Sequence, residues 1–395
     1  MNFPEYVSFT LKRLEENGYS AYLVGGCVRD FIMGIEPHDF DITTSASPDE
    51  IERCFCDIKT LDVGKKHGTI TLVFEKECVE VTTYRIDGEY RDLRHPESVT
   101  FTDKIEEDLA RRDFTMNAIA FSPIRGFVDP FFGREDIQKK RIVAVGEAEK
   151  RFCEDALRLL RALRFSSRLG FEIEENTKKA IFEKKQLLGN IAMERINAEF
   201  CGILEGRYAA GVMAEFFDCL CAALPNITPV DEVAIERAFD FCLMTKLCVF
   251  FSGLCDVKTL SDTLKHMKFD NNTVKCVTTV LPLVGVYTSK TDDADIKKAV
   301  SKIGAQNAEI LYNTLYCLHG DKTYLASVEK LYGFIKNGEC MTVQGLCIKG
   351  NEIIDLYKIN PAETGGILSS LLCDVIEGKT PNEKNALIDR AKMYI

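Results

Sequence analysis

Residues 21–44 read AYLVGGCVRDFIMGIEPHDFDITT. Four residues of strand character run into Gly25-Gly26, and a short helical pattern begins at once, from about 27 to 33. A second strand follows over residues 39–44. Two glycines at such a turn let the backbone approach a ligand closely, and the free amides of the helix start attract phosphate. Arg29, on the first turn of that helix, can supply a fixed positive charge. Asp39 and Asp41 are two apart on the second strand, so period-two geometry sets both carboxylates on one face. Neighbouring carboxylates repel unless a cation sits between them. Hard oxygen ligands suit Mg²⁺, which takes one or two carboxylates plus substrate phosphates. A Gly-Gly pair alone reads as an ordinary loop. The Asp pair on an apolar strand beside it is what gives the string its chemistry.

Working outward, residues 5–17 form an amphipathic helix stopped by Gly18. Ser47 with Pro48 behind it starts another helix, and TITLVF, CVEVTTY, NAIAF and GFVDP read as strands. Strand signals fade after about residue 150. RFCEDALRLLRALRFSSRLG, 151–170, has apolar residues at three- and four-residue spacing and ends at Gly170. Helical patterns continue to the C-terminus, with breaks at 225–229 and at Asn271-Asn272. The layout is an N-terminal catalytic domain of mixed strands and helices followed by an all-helical arm.

The 395 residues are 46% hydrophobic and 28% charged, a globular composition that excludes a disordered or fibrous chain. No apolar run reaches the ~18 residues of a membrane span, and the first twenty residues carry charges throughout, so a cytoplasmic protein is expected. Sixteen cysteines are scattered with no Cys-x-x-Cys, and most are expected to be reduced, buried small hydrophobes. Five histidines with no His-x-x-x-His spacing argue against a histidine metal site. The net charge of −11 argues against indiscriminate nucleic-acid binding. Its distribution is uneven: residues 1–150 hold 20 basic and 29 acidic residues, whereas 151–210 hold 11 and 9. Nucleic-acid contacts must therefore use local patches.

Two further strings carry chemistry. Arg111-Arg112-Asp113-Phe114-Thr115-Met116-Asn117 sets two arginines before an apolar strand, where they can serve phosphates or a surface ion pair. In EDALRLLRALR, 154–164, Asp155, Arg158, Arg161 and Arg164 fall at successive i,i+3 steps and form one ridge if the helix is continuous. A salt-bridged solvent face is the plain account of such a ridge. The functional account is geometric. Asp155 accepts and Arg158 donates, matching the amino group and ring acceptor of cytosine or adenine and opposing the carbonyl of uracil or guanine. Arg161 and Arg164 could then hold a triphosphate.

In these strings the sequence resembles the class II CCA-adding enzymes, tRNA nucleotidyltransferases of the polymerase-β-like superfamily. The residues that carry the likeness are LVGGCVRD with DFD at 39–41, HGTITLVF and EVTTYR, RRDFTMNA at 111–118, EDALRLLRALRF at 154–165 and MERINAEF at 193–200; the C-terminal half matches more loosely. The resemblance implies an α+β fold: a polymerase-β-like nucleotidyltransferase head with a mixed sheet (1–150), then a helical neck that reads the base (151–210), a body (211–325) and a tail that binds tRNA (326–395). It implies addition of CCA to tRNA from CTP and ATP with release of pyrophosphate. Two Mg²⁺ ions would be held by Asp39 and Asp41, and Glu80 is the candidate third carboxylate. Gly26, Arg29 and Arg112 would line the nucleotide pocket, Asp155 and Arg158 read the base, and Arg161 and Arg164 complete the triphosphate side. No membrane or protein partner is implied.

Relatives with the same motifs add only A or polymerise A. VGKKHGTITLVF has the tRNA-enzyme form, and YRDLR with the proline after His95 resembles the intact loop needed for A addition. An A-only enzyme would keep every motif. The histidine count excludes the His-Asp phosphohydrolase domain of some relatives. Residues 360–366, NPAETGG, lack the basic residue expected beside the glycines. A small-molecule nucleotidyltransferase needs no long helical arm, and an RNA-binding scaffold has no use for the Asp pair.

Overall fold

The computed structural model describes residues 3–37, 39–75, 77–88, 98–254 and 256–395. The expected loop signature at 90–96 lies outside them. The chain divides into two compact units, Met1–Tyr208 with Phe216–Leu224, and Ala209–Glu215 with Pro225–Ile395. The expected head and nearly all of the expected neck fall in the first.

The strands of the first unit are β1 (Ala21–Val24), β2 (Asp41–Thr44), β3 (Lys59–Leu61), β4 (Thr69–Val73), β5 (Cys78–Thr83), β6 (Arg85–Asp87), β7 (Val99–Phe101), β8 (Ala120–Ser122), β9 (Gly126–Val128), β10 (Arg141–Ile142) and β11 (Glu172–Ile173). Seven form one mixed sheet in the order β3-β4-β5-β2-β1-β8-β9, in which only β2 and β5 pair in parallel. Alternation explains the inner strands. Ile70 and Leu72 of β4 and Val79 and Val81 of β5 are buried while the residues between them face outward. Each such side chain contributes about 1.5–3 kcal/mol. β6 and β7 form a separate hairpin, and β10 pairs with β11 in parallel. That short strand at 172–173 interrupts the stretch expected to be wholly helical.

Helices α1 (Glu5–Glu16), α2 (Gly26–Ile32), α3 (Pro48–Cys54), α4 (Ile105–Ala110) and α5 (Gly133–Gln138) belong to the sheet. α1 buries Val7, Leu11 and Leu14, an i,i+4,i+7 stripe. The Glu15 carboxylate accepts from Arg125 at 2.8 and 2.9 Å and from the Ala21 amide at 3.2 Å, tying that helix to the start of β1. α3 begins as its sequence predicts, with Pro48 first and Glu50 accepting the Ser47 amide at 2.8 Å.

Then come α6 (Ala148–Glu154), α7 (Leu157–Leu169), α8 (Glu175–Lys184) and α9 (Met193–Leu204). The single helix expected over 151–169 is two. Asp155 is extended at φ −139°, ψ 104°, and its Oδ1 accepts the Leu157 amide at 3.0 Å. A short acidic side chain competes for backbone donors and so favours a helix start over a helix interior. Asp155 therefore leaves the ridge, and Arg158, Arg161 and Arg164 alone keep the i,i+3 spacing on α7. α7 crosses α9 closely: a Cβ on Gly202 would lie 2.5 Å from Arg164 Cδ, and one on Gly206 2.5 Å from the Ser167 backbone.

The second unit is helical. One core cluster gathers Leu346, Ile353, Ile367, Leu371, Leu372 and Leu387. Asn360 caps the helix Pro361–Ile376 by accepting the Ala362 amide at 3.0 Å. Among the described residues no helix is long and apolar enough to cross a membrane. The described cysteines are all free, but only Cys27, Cys219, Cys248 and Cys317 are buried, and six are exposed. This corrects the expectation of mostly buried thiols: a Cys is small enough to sit on a helix face or strand edge without a packing role. Where burial does occur it raises the thiol, to about 11 for Cys27 and about 12 for Cys219.

Candidate active site

The topology brings separate motifs to one end of the sheet. Val24, the last residue of β1, faces Asp41, the first of β2, across an antiparallel pair, and Asp41 faces Glu80 across the parallel pair with β5. The Gly25-Gly26 turn, Asp41 and Glu80 are thus neighbours at that end. β2 starts at Asp41 and not at residue 39, so Asp39 precedes the strand and does not lie within it. Asp39, Asp41 and Glu80 are all exposed. Protein around Asp41 still strips part of its hydration, and this burial raises its pKa; the Asp39 charge adds to the rise and Arg112 opposes it. Among the described residues no three such groups close around a metal position by themselves. The donor set is nonetheless all hard oxygen. It fits an ion that takes its remaining ligands from phosphate and water.

Gly25 caps α2 with φ +76° and ψ −133°, a conformation open to glycine. Its missing Cβ leaves room for Arg112, whose Nη1 would lie 3.0 Å from that atom; Gly26 is roomier, with Arg29 Nη2 at 3.7 Å. Arg112 has one weak ion pair, to buried Asp108 at 3.4 Å, and its Nε is buried without a partner. Arg111 instead satisfies Asp108 at 2.8 Å. The two adjacent arginines therefore differ in kind: Arg111 is an anchor, and Arg112 keeps unspent donors beside the glycine turn and the carboxylates.

Arg29 is pinned by Asp30 Oδ1 at 2.8 and 2.6 Å and by Asn117 Oδ1 at 2.9 Å. Asn117 in turn donates to Asp113 Oδ1 at 3.1 Å, and Asp113 Oδ2 takes Arg161 through Nε at 2.8 Å and Nη2 at 2.7 Å. Burial alone would raise Asp113; Arg161, Asn117 and the Phe114 amide reverse that and hold it below the usual carboxylate range. Glu199 lies 3.0 Å from Arg164 Nε and 3.9 Å from Arg161 Nη1. Its burial pushes its own pKa up, against the pull of Arg164 and Arg161.

Asp155 and Arg158 do not bond to each other. Asp155 Oδ2 pairs with Arg195 at 2.9 Å. Arg158 is buried; its Nη1 donates to the Arg151 carbonyl at 3.0 Å and to Glu154 at 2.8 Å, and its Nη2 donates to the Arg111 carbonyl at 3.0 Å. That last bond places the two strings, RRDFT and EDALR, against each other. Arg158 still has its Nε hydrogen and one Nη2 hydrogen uncommitted, and Asp155 Oδ2 has a second lone pair.

Comparison with known proteins decides the family. The Poly A polymerase head domain matches residues 21–143, and the probable RNA- and SrmB-binding site of polymerase A matches 170–219. The chain is 34% identical over 387 residues to a CCA-adding enzyme of Geobacillus sp. (strain WCH70), covering 95% of this chain and 94% of the relative. The chain belongs to the CCA-adding enzymes. A CCA-adding enzyme of Geobacillus thermodenitrificans is 52% identical over 200 residues, a match that spans 51% of this chain and 49% of that relative. The crystal structure of the Bacillus stearothermophilus CCA-adding enzyme in complex with CTP superposes with a TM-score of 0.83 at 31% identity, covering 100% of this chain and 98% of that one. Divalent-metal dependence goes with membership of this nucleotidyltransferase family.

Within that frame, sequence reading did not assign four residues that organise the site. Asn117 and Asp113 were visible only as parts of RRDFTMN, Glu199 and Arg195 only as parts of MERINAEF. Both strings are rich in polar residues, so local pattern does not single these four out.

Proposed function

We propose that this enzyme adds C, C and A, without a template, to the 3′ end of tRNA, taking CTP and ATP and releasing pyrophosphate, with two Mg²⁺ ions at the carboxylate end of the sheet. The observation that carries the reading is the meeting of Asp41, Glu80, the Gly25-Gly26 turn and the under-partnered Arg112 at that end. Asp39 and Asp41 would hold the metal, with Glu80 as a third ligand. When bound, the metal lowers the pKa of the attacking 3′-hydroxyl and offsets charge on the leaving pyrophosphate. The chain's own residues do the remaining work. Gly26 lets the nucleotide phosphates come close to the α2 amides, and Arg29 and Arg112 flank them. Arg161 and Arg164 bind the outer phosphates with the donors that Asp113 and Glu199 leave free.

Asp155 and Arg158 read the base. Arg195 orients the Asp155 carboxylate, whose open lone pair takes the amino group of cytosine or adenine. The uncommitted hydrogens of Arg158 meet the ring acceptor. A carbonyl in place of the amino group faces a carboxylate and is rejected. The helical second unit binds tRNA through shape and backbone, which suits a chain of net charge −11. The test is incubation with Mg²⁺ and tRNA transcripts ending before CCA, after C and after CC, with CTP, ATP or both, sized at single-nucleotide resolution. Addition of C, C and A followed by a stop is expected. Extension of the CC-ended transcript alone, or a long A ladder, overturns the reading.

A further inference from the structure

One gathering of positive charge in the first unit has an aromatic ring at its centre. Phe165, buried on α7, sits edge-on to Phe114 with ring centroids 5.8 Å apart and 85° between the planes. Three guanidiniums lie against it. The centroid is 5.2 Å from Arg29, 5.4 Å from Arg161 and 5.3 Å from Arg164. Two of these arginines come from the ring's own helix, and the third arrives from α2, beyond the glycine turn. Each is held from its outer side by polar partners: Arg29 by Asp30 and Asn117, Arg161 by Asp113, Arg164 by Glu199. The carboxylates set where each guanidinium is tethered. Glu199 also lies 3.9 Å from Arg161, so these partners offset part of the repulsion from outside, and the ring is a contact that all three guanidiniums share. Like charges at this spacing repel, and burial together with Arg161 and Arg168 holds Arg164 below its usual range. An aromatic face offers what an aliphatic side chain of equal volume lacks, a negative quadrupole that favours converging cations.

We propose that Phe165 is a positioning residue for nucleotide binding: its ring seats Arg29, Arg161 and Arg164 at a fixed separation, so that they meet the triphosphate as one preorganised anion site. The proposal rests on the triphosphate role given to those arginines above, and it adds the group that makes them act together. The triphosphate is common to CTP and ATP. Loss of the ring therefore weakens both alike and leaves base choice untouched.

The experiment compares Phe165→Met, which fills the volume without a ring, with Phe165→Tyr, which keeps the face. Each variant is assayed for KM and kcat with CTP and with ATP, for inhibition by inorganic tripolyphosphate, and for thermal midpoint. Phe165→Met is expected to raise both KM values about tenfold, in parallel with the tripolyphosphate inhibition constant, with kcat within about twofold. Phe165→Tyr is expected to stay within about twofold of the parent. A folded Phe165→Met with unchanged KM, or one that lowers only kcat, overturns the proposal. So does a Tyr variant as impaired as the Met variant. Gly202→Ala supplies an independent route: its methyl lands on Arg164 Cδ and displaces that side chain with the ring intact. A raised KM for both nucleotides supports the triphosphate role of Arg164 on which the proposal rests, and an unchanged KM counts against that role and so against the proposal. Arg29→Ala and Arg161→Ala separate the two layers. If neither raises nucleotide KM, the triphosphate reading itself fails; if both do and folded Phe165→Met does not, only the role of the ring fails.

Discussion

Substituting the two glycines of the turn one at a time separates backbone strain from ligand approach, because the structure gives them different constraints. Gly25 sits at φ +76°, ψ −133°, and a Cβ there meets Arg112 Nη1 at 3.0 Å. Gly26 is helical, and its Cβ meets nothing nearer than Arg29 Nη2 at 3.7 Å, an ordinary contact. Gly25→Ala therefore forces a non-glycine residue into a region that costs about 1–3 kcal/mol. The Arg112 contact adds little to that cost, because the end of a long side chain can swing away. For a compact unit of this size, about 2 kcal/mol is a fall of roughly 4–8 °C in Tm. Gly26→Ala is expected to leave Tm within about 1 °C, since an alanine in a helix is no worse than a glycine.

Activity should follow a different order. Gly26→Ala puts a methyl where the proposed site brings the phosphate close, so KM for CTP and ATP is expected to rise about tenfold or more in a protein of parental stability. Gly25→Ala should show both defects, because it displaces Arg112 as well as straining the turn. Gly34→Ala is the control: φ is +74° with nothing within 4 Å, so it costs stability alone. Differential scanning calorimetry and steady-state kinetics on the same preparations give both quantities. Parental KM in Gly26→Ala would refute the phosphate site at this turn, and parental Tm in Gly25→Ala would refute the strain argument.

Other perturbations test other parts of the site. Asp39→Ala and Asp41→Ala should each abolish nucleotide addition, by about a thousandfold or more, while tRNA binding by filter retention stays within about twofold; normal turnover in either removes the metal assignment. Asp155→Ala should relax the choice of C and A over U and G more than it weakens tRNA affinity, and Arg195→Ala should do the same more weakly because it only orients that carboxylate. Misincorporation assays that leave selectivity unchanged in Asp155→Ala would return that residue to a purely structural helix start. In the second unit, Lys298 and Lys379 hold Glu377 down at about 2. A depressed carboxylate stabilises above its unfolded pKa, and that gain is lost as pH falls through the folded value. Urea midpoints of the parent should therefore drop between about pH 4.5 and pH 2 more steeply than those of Glu377→Gln; equal slopes would sink this assignment.

What could be read from the sequence follows from the range of the interactions involved. α1, α2, α3 and the strands around Ile70 and Val81 are specified by local period, caps and glycine stops, and they form within a residue or two of expectation. The same short-range logic misled at Asp155. Three-residue spacing suggests one ridge, but the side chain takes the Leu157 amide and starts a new helix. Nothing in local pattern could tell that the partner of Arg29 is Asn117, 88 residues on, that Arg161 would take Asp113, 48 residues back, or that Asp155 would take Arg195, 40 residues on. Those pairings depend on which strand ends the sheet brings together and on how closely α7 crosses α9.

The arginine ridge shows why a salt-bridged face and a phosphate-binding face are not exclusive readings. A guanidinium has five N–H donors, and Asp113 occupies two of those on Arg161, leaving the rest directed elsewhere. The carboxylates order the arginines before any nucleotide arrives, so less side-chain entropy is lost on binding. They also cap the repulsion among Arg29, Arg161 and Arg164 around one ring. At physiological salt a charge is felt over about 8 Å. A triphosphate in the proposed site would therefore experience these arginines and Arg112, and hardly at all the −11 carried by the chain as a whole. An acidic chain with a local, pre-ordered arginine cluster would on this reading admit a small polyanion and discourage indiscriminate polyanions. An enzyme that must bind one nucleotide at a time and one class of RNA needs that division.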